Sequence, residues 1–276
     1  MMFVRRALPT RPPSSMSEPA ATRVTTSTTH VVRVRTIHVL RRLLRHVIRR
    51  EWLDEAWDWL RLKVDAFGAG DYQPIAADAR DRGSAGRISG TLSRWEAIQQ
   101  LVGQLDVRSA ADVGCNVGWF ARMLAQRGIT TIGVEGHPPL YRTAIYTARK
   151  QGDGRMGVLA LHVTPETVTL VPRVDCMLFL AVWHHIVRRQ GLEAADAVLA
   201  GLWGSTNTVL FFETGEDGEM GDYYRLPTMY PNPRDWVQAH LERVCPDGFV
   251  RHLGLHASSP TYARNLFAVV RTRAER

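Results

Sequence analysis

The chain has 276 residues, 45% of them hydrophobic, enough for one large domain with an appendage. No apolar run approaches the roughly 20 residues of a spanning helix, so a transmembrane protein is not expected. Three cysteines without close pairing (Cys115, Cys176, Cys245) argue against a disulfide framework and a cysteine-built zinc site, and fit a reducing cytoplasm.

The formal charge of +8 is unevenly distributed. Residues 1–50 contain eleven Arg, no Lys and one acid, Glu18, giving +10, whereas residues 51–276 carry −2. Gripping a nucleic-acid duplex needs Lys and Arg clustered where the phosphates lie, so the main domain gives no support for such a surface.

Residues 1–30 are rich in Pro, Ser, Thr and Arg and predict a disordered tail. An Arg-rich start can imitate a targeting peptide, but Met16-Ser17-Glu18 also resembles a translation start. We favour that start, or a plain tail, over a targeting function.

Residues 31–90 predict a basic amphipathic helix and a linker or lid. From Ile37 to Phe67 apolar residues recur every three to four positions, as on one face of a helix. Beside them is an (i, i+4) row of arginines, Arg41, Arg45 and Arg49. We favour a helix packed on the main domain with its arginines in water; a membrane-surface or RNA-facing helix is the alternative. Residues 68–90, rich in Gly, Asp and Ala, predict the linker or lid.

Residues 91–276 predict the main domain. It opens with a helix at about 91–105, and strands and helices then alternate, which predicts an α/β fold with a mainly parallel sheet covered on both faces. The predicted strands are Ala110–Val113, Thr131–Glu135, Gly157–Val163, Val174–Val182, Thr208–Thr214, Phe249–His256 and Asn265–Arg271. The predicted helices between them are Trp119–Arg127, Pro139–Lys150, Leu192–Trp203 and Pro233–Cys245.

The stretch ADVGCNVGWF, residues 111–120, ends the first of these strands. Gly114 and Gly118 allow a sharp turn into a helix, so that a cofactor can lie against bare backbone. Asp112 can orient the loop, and Glu135, at the end of the second strand, lies where a carboxylate can accept both hydroxyls of a ribose. Ligands of such sheets bind at the carboxyl ends of the strands, which predicts a cofactor site there.

The spacing D-x-G-x-N-x-G lacks the middle glycine of the dinucleotide fingerprint G-x-G-x-x-G. It resembles the first motif of class I S-adenosylmethionine-dependent methyltransferases in the D-x-G-C-N-x-G variant, over residues 92–272. The resemblance implies a Rossmann-like seven-stranded sheet in the order 3-2-1-4-5-7-6, with the last strand antiparallel. It also implies S-adenosylmethionine as the cofactor. The residues implied to bind it are Asp112, Gly114, Cys115, Asn116, Gly118, Glu135, Gly136, Val163, Thr164 and Ala181. Many members carry Asp after the third strand, where this chain has Thr164-Pro165-Glu166.

The end of the fourth strand carries Trp183-His184-His185. In the family this point faces the reactive methyl group, and the three residues resemble a short stretch found in RNA 5′-phosphate capping and tRNA wobble-uridine methyltransferases. A neutral imidazole can take a proton from an attacking hydroxyl or amine, so His184 and His185 are the candidate catalytic bases. The alternative for either ring is a structural hydrogen bond or packing.

The fifth strand leads into a segment that resembles the substrate wall of the family. Its candidate substrate residues, with Trp183, are Glu213, Tyr223, Tyr224, Arg225 and Tyr230. Together with Glu216, Asp217, Glu219 and Asp222 they suggest a wall that suits a polar or amine-bearing acceptor and repels a phosphate-rich one; a solvated acidic loop is the alternative. A metal site is not expected, because adjacent histidines on an extended strand point to opposite faces.

These observations favour methyl transfer to an oxygen or nitrogen of a small molecule in the cytoplasm. An RNA methyltransferase that uses residues 31–50 as a phosphate grip is the second hypothesis. A cofactor-binding or partner-binding module without catalytic activity is the third. The sequence leaves the acceptor and the oligomeric state open.

Overall fold

The computed structural model describes Gln73 and residues 85–151 and 154–272. The predicted tail, the basic helix and most of the predicted linker lie outside these residues. The first described helix, α1, spans Ala85–Val102 and therefore begins about six residues before the predicted start. None of the described helices is long and apolar enough to cross a membrane.

Strands and helices alternate from residue 109 onward, close to the predicted bounds. The strands are β1 Ser109–Val113, β2 Thr130–Glu135, β3 Met156–Ala160, β4 Val174–Leu180, β5 Thr206–Glu213, β6 Gly248–Ala257 and β7 Ala263–Arg271. The helices after α1 are α2 Trp119–Ala125, α3 Pro138–Gln151, α4 Trp183–Gln190, α5 Leu192–Gly204, α6 Asp217–Met220 and α7 Pro233–Val244. Short 3₁₀ turns cover Val168–Leu170 and Asp222–Tyr224.

The seven strands form one sheet in the order β3-β2-β1-β4-β5-β7-β6. The first five strands pair in parallel, and β7 pairs antiparallel with both β5 and β6. The predicted strand order and the antiparallel last strand are confirmed. In this arrangement β1 and β4 are neighbours although two strands separate them in sequence, so the order of the strands reverses beside β1.

Alternate side chains of the central strands fill two separate cores. On β4, Cys176 and Leu178 join one cluster, whereas Met177 and Phe179 join the other. Helices α1 and α2 cover the first cluster, with Trp95, Ile98, Trp119 and Phe120 among its buried residues. Helices α5 and α7 cover the second, with Leu199, Leu202, Val237 and Leu241. Because both faces are buried, the central strands are mainly apolar, and the cleft forms at their carboxyl ends.

Candidate functional site

A cleft of about 620 Å³ opens at the carboxyl ends of β1, β2 and β4. It lies at the predicted reversal of strand order, where parallel sheets bind ligands. Of the predicted cofactor residues, those that line it are Gly114, Asn116, Glu135, Gly136, Val163 and Ala181. His137, Leu161, His162 and Val182 also line it and were not predicted.

Two positions of the β1–α2 loop require glycine, because the backbone is left-handed there and because neighbouring atoms leave no room for a Cβ. Gly114 and Gly118 have φ values of +75° and +80°, which side chains rarely adopt. A Cβ at Gly114 would lie 2.3 Å from Val182 Cγ2, and one at Gly118 would lie 2.6 Å from Met156 Cε. A side chain at either glycine would therefore collide with a neighbouring side chain, and the backbone of Gly114 lines the cleft.

Glu135 joins the end of β2 to this loop. Its Oε2 accepts a hydrogen bond from the Asn116 amide at 3.0 Å, and its Oε1 accepts one from the His137 amide at 2.8 Å. Asn116 has a φ of +54°, and its Oδ1 accepts the Val117 amide at 2.8 Å. Each carboxylate oxygen has a second lone pair, so Glu135 can still accept hydrogen bonds from a ligand hydroxyl. The predicted closeness of the acid and the glycine loop is confirmed.

The residues that follow β3 form another side of the cleft. This strand ends at Ala160, three residues before its predicted end. Leu161, His162 and Val163 line the cleft, and a Cβ at Gly136 would lie 2.7 Å from His162 Nδ1, which shows how closely the β2 and β3 ends approach. Thr164 does not line the cleft; its hydroxyl donates to Glu166 at 2.6 Å in a local turn.

Three of the predicted cofactor residues are packed inside the protein beside the cleft: Asp112, Cys115 and Gly118. The Asp112 side chain is 2% exposed, and Cys115 is fully buried. Burial raises the pKa of Asp112 to about 7, opposed by a hydrogen bond from the Ala121 amide and assisted by the charge of Glu135. Burial also raises the pKa of the Cys115 thiol, so it is not a reactive thiolate. None of these three residues lines the cleft.

The chain turns sharply after β4 and enters a helix that the sequence did not predict. Ala181 has a φ of +59°, and α4 begins at Trp183. Trp183 is fully buried rather than at the cleft, because its ring packs against Phe212 and His240 and its Nε1 donates to Asp196 at 3.2 Å. The adjacent histidines lie on a helix, not on an extended strand, and their rings are 4.2 Å apart.

His184 is 2% exposed, and its ring accepts a hydrogen bond from the backbone turn after β5. Its Nδ1 accepts the Gly215 amide at 2.9 Å, and the Thr214 hydroxyl lies 3.4 Å from the same atom. The neutral ring therefore carries its proton on Nε2. Burial, assisted by His185, Arg264 and Arg188, lowers its pKa to about 2. His184 can donate a hydrogen bond from Nε2, but neither nitrogen is free to take a proton.

His185 lines the cleft, and its side chain makes no hydrogen bond to any described residue. Tyr224 lies beside it at 5.7 Å between ring centroids. Desolvation, assisted by the charges of Arg188, Arg189 and Arg264, lowers the pKa of His185 to about 4. The ring is therefore neutral at pH 7 and can accept a proton.

Four of the five carboxylates of the predicted acidic wall bond to other groups of the protein, whereas Asp222 is exposed. Glu213 is 1% exposed and pairs with Arg94 and, at 3.8 Å, with Arg264. Glu219 receives two hydrogen bonds from Arg264, at 2.6 and 3.0 Å. Glu216 accepts the Asn265 amide at 2.8 Å, and Asp217 accepts the Met229 amide at 2.9 Å.

The predicted substrate residues of this segment lie at different distances from the cleft. Tyr224 lines it, whereas Tyr223 and Tyr230 are 72% and 82% exposed and lie outside its lining. Arg225 is exposed in a left-handed turn, with a φ of +53°. Among the residues that the structure describes, no group of three or more His, Cys, Asp and Glu side chains is arranged to hold a metal ion.

Solved methyltransferase structures have a similar fold. The bifunctional kinase-methyltransferase WbdD has a TM-score of 0.57 at 20% identity, over 75% of this chain and 45% of its own. Magnesium protoporphyrin IX methyltransferase (ChlM) from Synechocystis PCC 6803 with bound SAM has a TM-score of 0.53 at 16% identity, over 77% of this chain and 95% of its own. Its form with bound SAH has a TM-score of 0.51 at 15% identity, over 84% of this chain and 100% of its own.

These likenesses establish that the chain has the class I methyltransferase fold that the motif predicted. The chain spans less than half of the length of WbdD and nearly all of the length of ChlM. No protein-family model matches the sequence, and none of the curated proteins matches it.

Proposed function

We propose that the protein binds S-adenosylmethionine in this cleft and transfers its methyl group to an oxygen or nitrogen of a small molecule. The observation that carries the proposal is the Glu135 carboxylate, which lines the cleft and is bonded to the amide of Asn116 in the β1 loop. The fold of the chain supports it, since ChlM was solved with SAM and with SAH bound.

The residues of the cleft fit such a cofactor. Glu135 retains lone pairs for the two hydroxyls of a ribose, and Leu161, His162 and Val163 offer an apolar and aromatic wall to an adenine ring. The loop at Gly114 and Asn116 offers backbone to the methionine part. The cofactor supplies a methyl group on a positively charged sulfur, which a nucleophile can attack directly.

The two histidines then have separate roles. We assign His185 as the candidate general base, because its ring lines the cleft and makes no hydrogen bond to a described residue. His184 is a positioning residue, because its Nδ1 holds the Gly215 amide. Methyl transfer depends mainly on alignment of acceptor and methyl group, so we expect rigid placement to contribute more than proton removal.

The RNA hypothesis depends on residues 31–50, which lie outside the described residues, and it remains the alternative. RNA binding that weakens steeply with salt and is lost when residues 1–50 are deleted would favour it. Turnover with any acceptor would exclude the hypothesis of a non-catalytic module.

Isothermal titration of the full chain with S-adenosylmethionine, S-adenosylhomocysteine and NAD tests the cofactor. We expect both methionine nucleosides to bind and NAD not to bind. Glu135→Gln should weaken the binding about 10- to 100-fold, because hydrogen bonds to a charged group contribute about 1.5–3 kcal/mol. Glu242→Gln, an exposed position on α7, makes the same charge change and should leave the affinity unchanged. Absence of affinity for both nucleosides would overturn the proposal.

A further inference from the structure

Positive charge is concentrated at the α4 end of the cleft. Arg188, Arg189 and Arg264 line it there, and Glu135 is the single carboxylate among the described lining residues. Arg264 is neutralised by Glu219 and Glu213. Arg188 and Arg189 have no carboxylate within ion-pair distance in the described part of the chain.

Arg188 is held in place by aromatic residues. Its Nη1 donates to the Tyr223 hydroxyl at 2.9 Å, and its guanidinium lies 5.0 Å from the Tyr223 ring centroid and 5.4 Å from that of Tyr224. Stacking on the tyrosine rings orients the guanidinium without neutralising its charge. One guanidinium has five N–H donors, so most of those on Arg188 remain available to a ligand.

Arg189 extends the same positive region toward the cofactor side of the cleft. Its Nη1 lies 3.5 Å from His162 Nε2, at the margin of a hydrogen bond. Arg189 is four residues after His185, so both side chains lie on the same face of α4. A ligand group bound by the two arginines would therefore lie close to the ring that we assign as the base.

A structural explanation for these arginines is their place in the last turn of α4, where positive side chains interact favourably with the helix dipole. That explanation does not account for two further observations. Arg188 is half-buried against two aromatic rings instead of extending into water, and both arginines face a concave cleft that contains a neutral base.

We propose that the methyl acceptor carries an anionic group, a carboxylate or a phosphate, that Arg188 and Arg189 bind. The inference rests on the proposed methyl transfer at this site. It differs from the expectation of a polar or amine-bearing acceptor, because all the carboxylates of the predicted acidic wall except the exposed Asp222 are bonded to protein groups. Guanidinium groups match both anions, since their parallel N–H donors can bond two oxygens at once.

The test uses three probes of similar size: benzoate, phenyl phosphate and neutral benzamide. Their dissociation constants for the full chain are measured by ligand-observed NMR, with and without saturating S-adenosylhomocysteine, so that the anion site and the cofactor site are scored separately. We expect at least one anion to bind at least tenfold more tightly than benzamide, and the binding to weaken with added salt. If benzoate binds more tightly than phenyl phosphate, the anionic group of the acceptor is a carboxylate; if phenyl phosphate binds more tightly, it is a phosphate.

Substitutions locate the site. Arg188→Gln and Arg189→Gln should each weaken anion binding severalfold, and the double variant at least tenfold, while affinity for S-adenosylhomocysteine is retained. Arg173→Gln is the matched control, because this exposed arginine precedes the amino end of β4, whereas the cleft lies at the carboxyl end. Equal affinity for benzamide and the anions, anion binding that survives the double variant, or no anion binding by a chain that binds S-adenosylhomocysteine would each overturn the inference. Failure of the nucleoside to bind would instead contradict the proposed function.

Discussion

The two adjacent histidines of α4 differ in the surroundings of their ring nitrogens. Both line the cleft, but His184 is buried with its Nδ1 occupied by the Gly215 amide, whereas His185 is exposed. Both have pKa values below the ordinary value of 6.5, to about 2 and about 4, because burial disfavours the charged ring and nearby arginines repel a second positive charge. Titration of the His185 ring and the pH dependence of stability conferred by His184 can therefore distinguish their two roles.

We expect the His185 ring to titrate near pH 4. The measurement is the Cε1–H shift of selectively labelled histidines between pH 3 and 8, assigned with His185→Asn. In the Arg188→Gln and Arg189→Gln variants the midpoint should rise, because a repelling charge is removed. A midpoint at the ordinary value near 6.5 would contradict the placement of this ring beside the arginines.

His184 should make the fold sensitive to acid. Its folded-state pKa lies below the unfolded value, so the unfolded chain binds the proton first, and stability is complete above about pH 6.5 and falls as the pH decreases. Relative to His184→Asn, wild type should lose up to about 1.4 kcal/mol of unfolding free energy per pH unit below that point. Asn retains an acceptor for the Gly215 amide.

Urea unfolding at pH 5, 6 and 7.5 measures this difference. His137→Asn, at an exposed position, is the control for the loss of an imidazole. A constant difference between wild type and His184→Asn over this range would contradict the neutral buried ring.

At the scale of elements, the cofactor site depends on how the β1 loop packs against the start of α4. We expect Gly114→Ala to lower the unfolding free energy by about 2–4 kcal/mol, because it combines a left-handed φ with a methyl group 2.3 Å from Val182 Cγ2. Val182→Ala in the same chain should recover part of the loss, since it removes the methyl group that clashes. A double-mutant cycle by denaturant unfolding measures this coupling.

Strictly additive effects of the two substitutions would show that Val182 does not limit the space at Gly114. Gly118→Ala is a useful comparison, because the atom it meets is the end of the flexible Met156 side chain. We expect it to cost less than Gly114→Ala.

The sequence predicted those helices and strands that depend on a few neighbouring residues, and it missed the features that depend on distant ones. The apolar runs and the glycine turn predicted the strands and α2, because burial and backbone geometry act over a few residues. Helix α4 was missed because the chain leaves β4 through Ala181 at a positive φ, without the glycine that usually marks such a turn. The sequence did not predict that three acidic residues bond within the protein, because their partners are distant in sequence. The pairs are Glu213 with Arg94, Glu216 with Asn265 and Glu219 with Arg264.

At the scale of the whole molecule, a buried ionic network connects α1 to the far strands of the sheet. Arg94 of α1 pairs with Glu213 at the end of β5, and Arg264 of β7 pairs with Glu219 of α6 and reaches Glu213 at 3.8 Å. Arg94, Glu213 and Arg264 are each less than 10% exposed. Because the charges are buried together, each depends on the others to offset the cost of leaving water.

We expect Glu213→Gln to lower the unfolding free energy by about 3–5 kcal/mol, because it leaves Arg94 buried without an opposing charge. Glu242→Gln, at an exposed position, should change stability by less than about 0.5 kcal/mol. Guanidinium unfolding followed by tryptophan fluorescence compares the two variants. Equal stability of Glu213→Gln and wild type would show that the network carries no net stabilisation.

The central claim is that the cleft at the carboxyl ends of β1, β2, β3 and β4 binds a methionine nucleoside. Hydrogen–deuterium exchange of the full chain with and without S-adenosylhomocysteine tests it most directly. We predict slower exchange on binding in peptides that cover residues 113–118, 134–137 and 161–164, and no change in peptides from β6. Protection confined to other segments, or no protection at saturating nucleoside, would contradict the account.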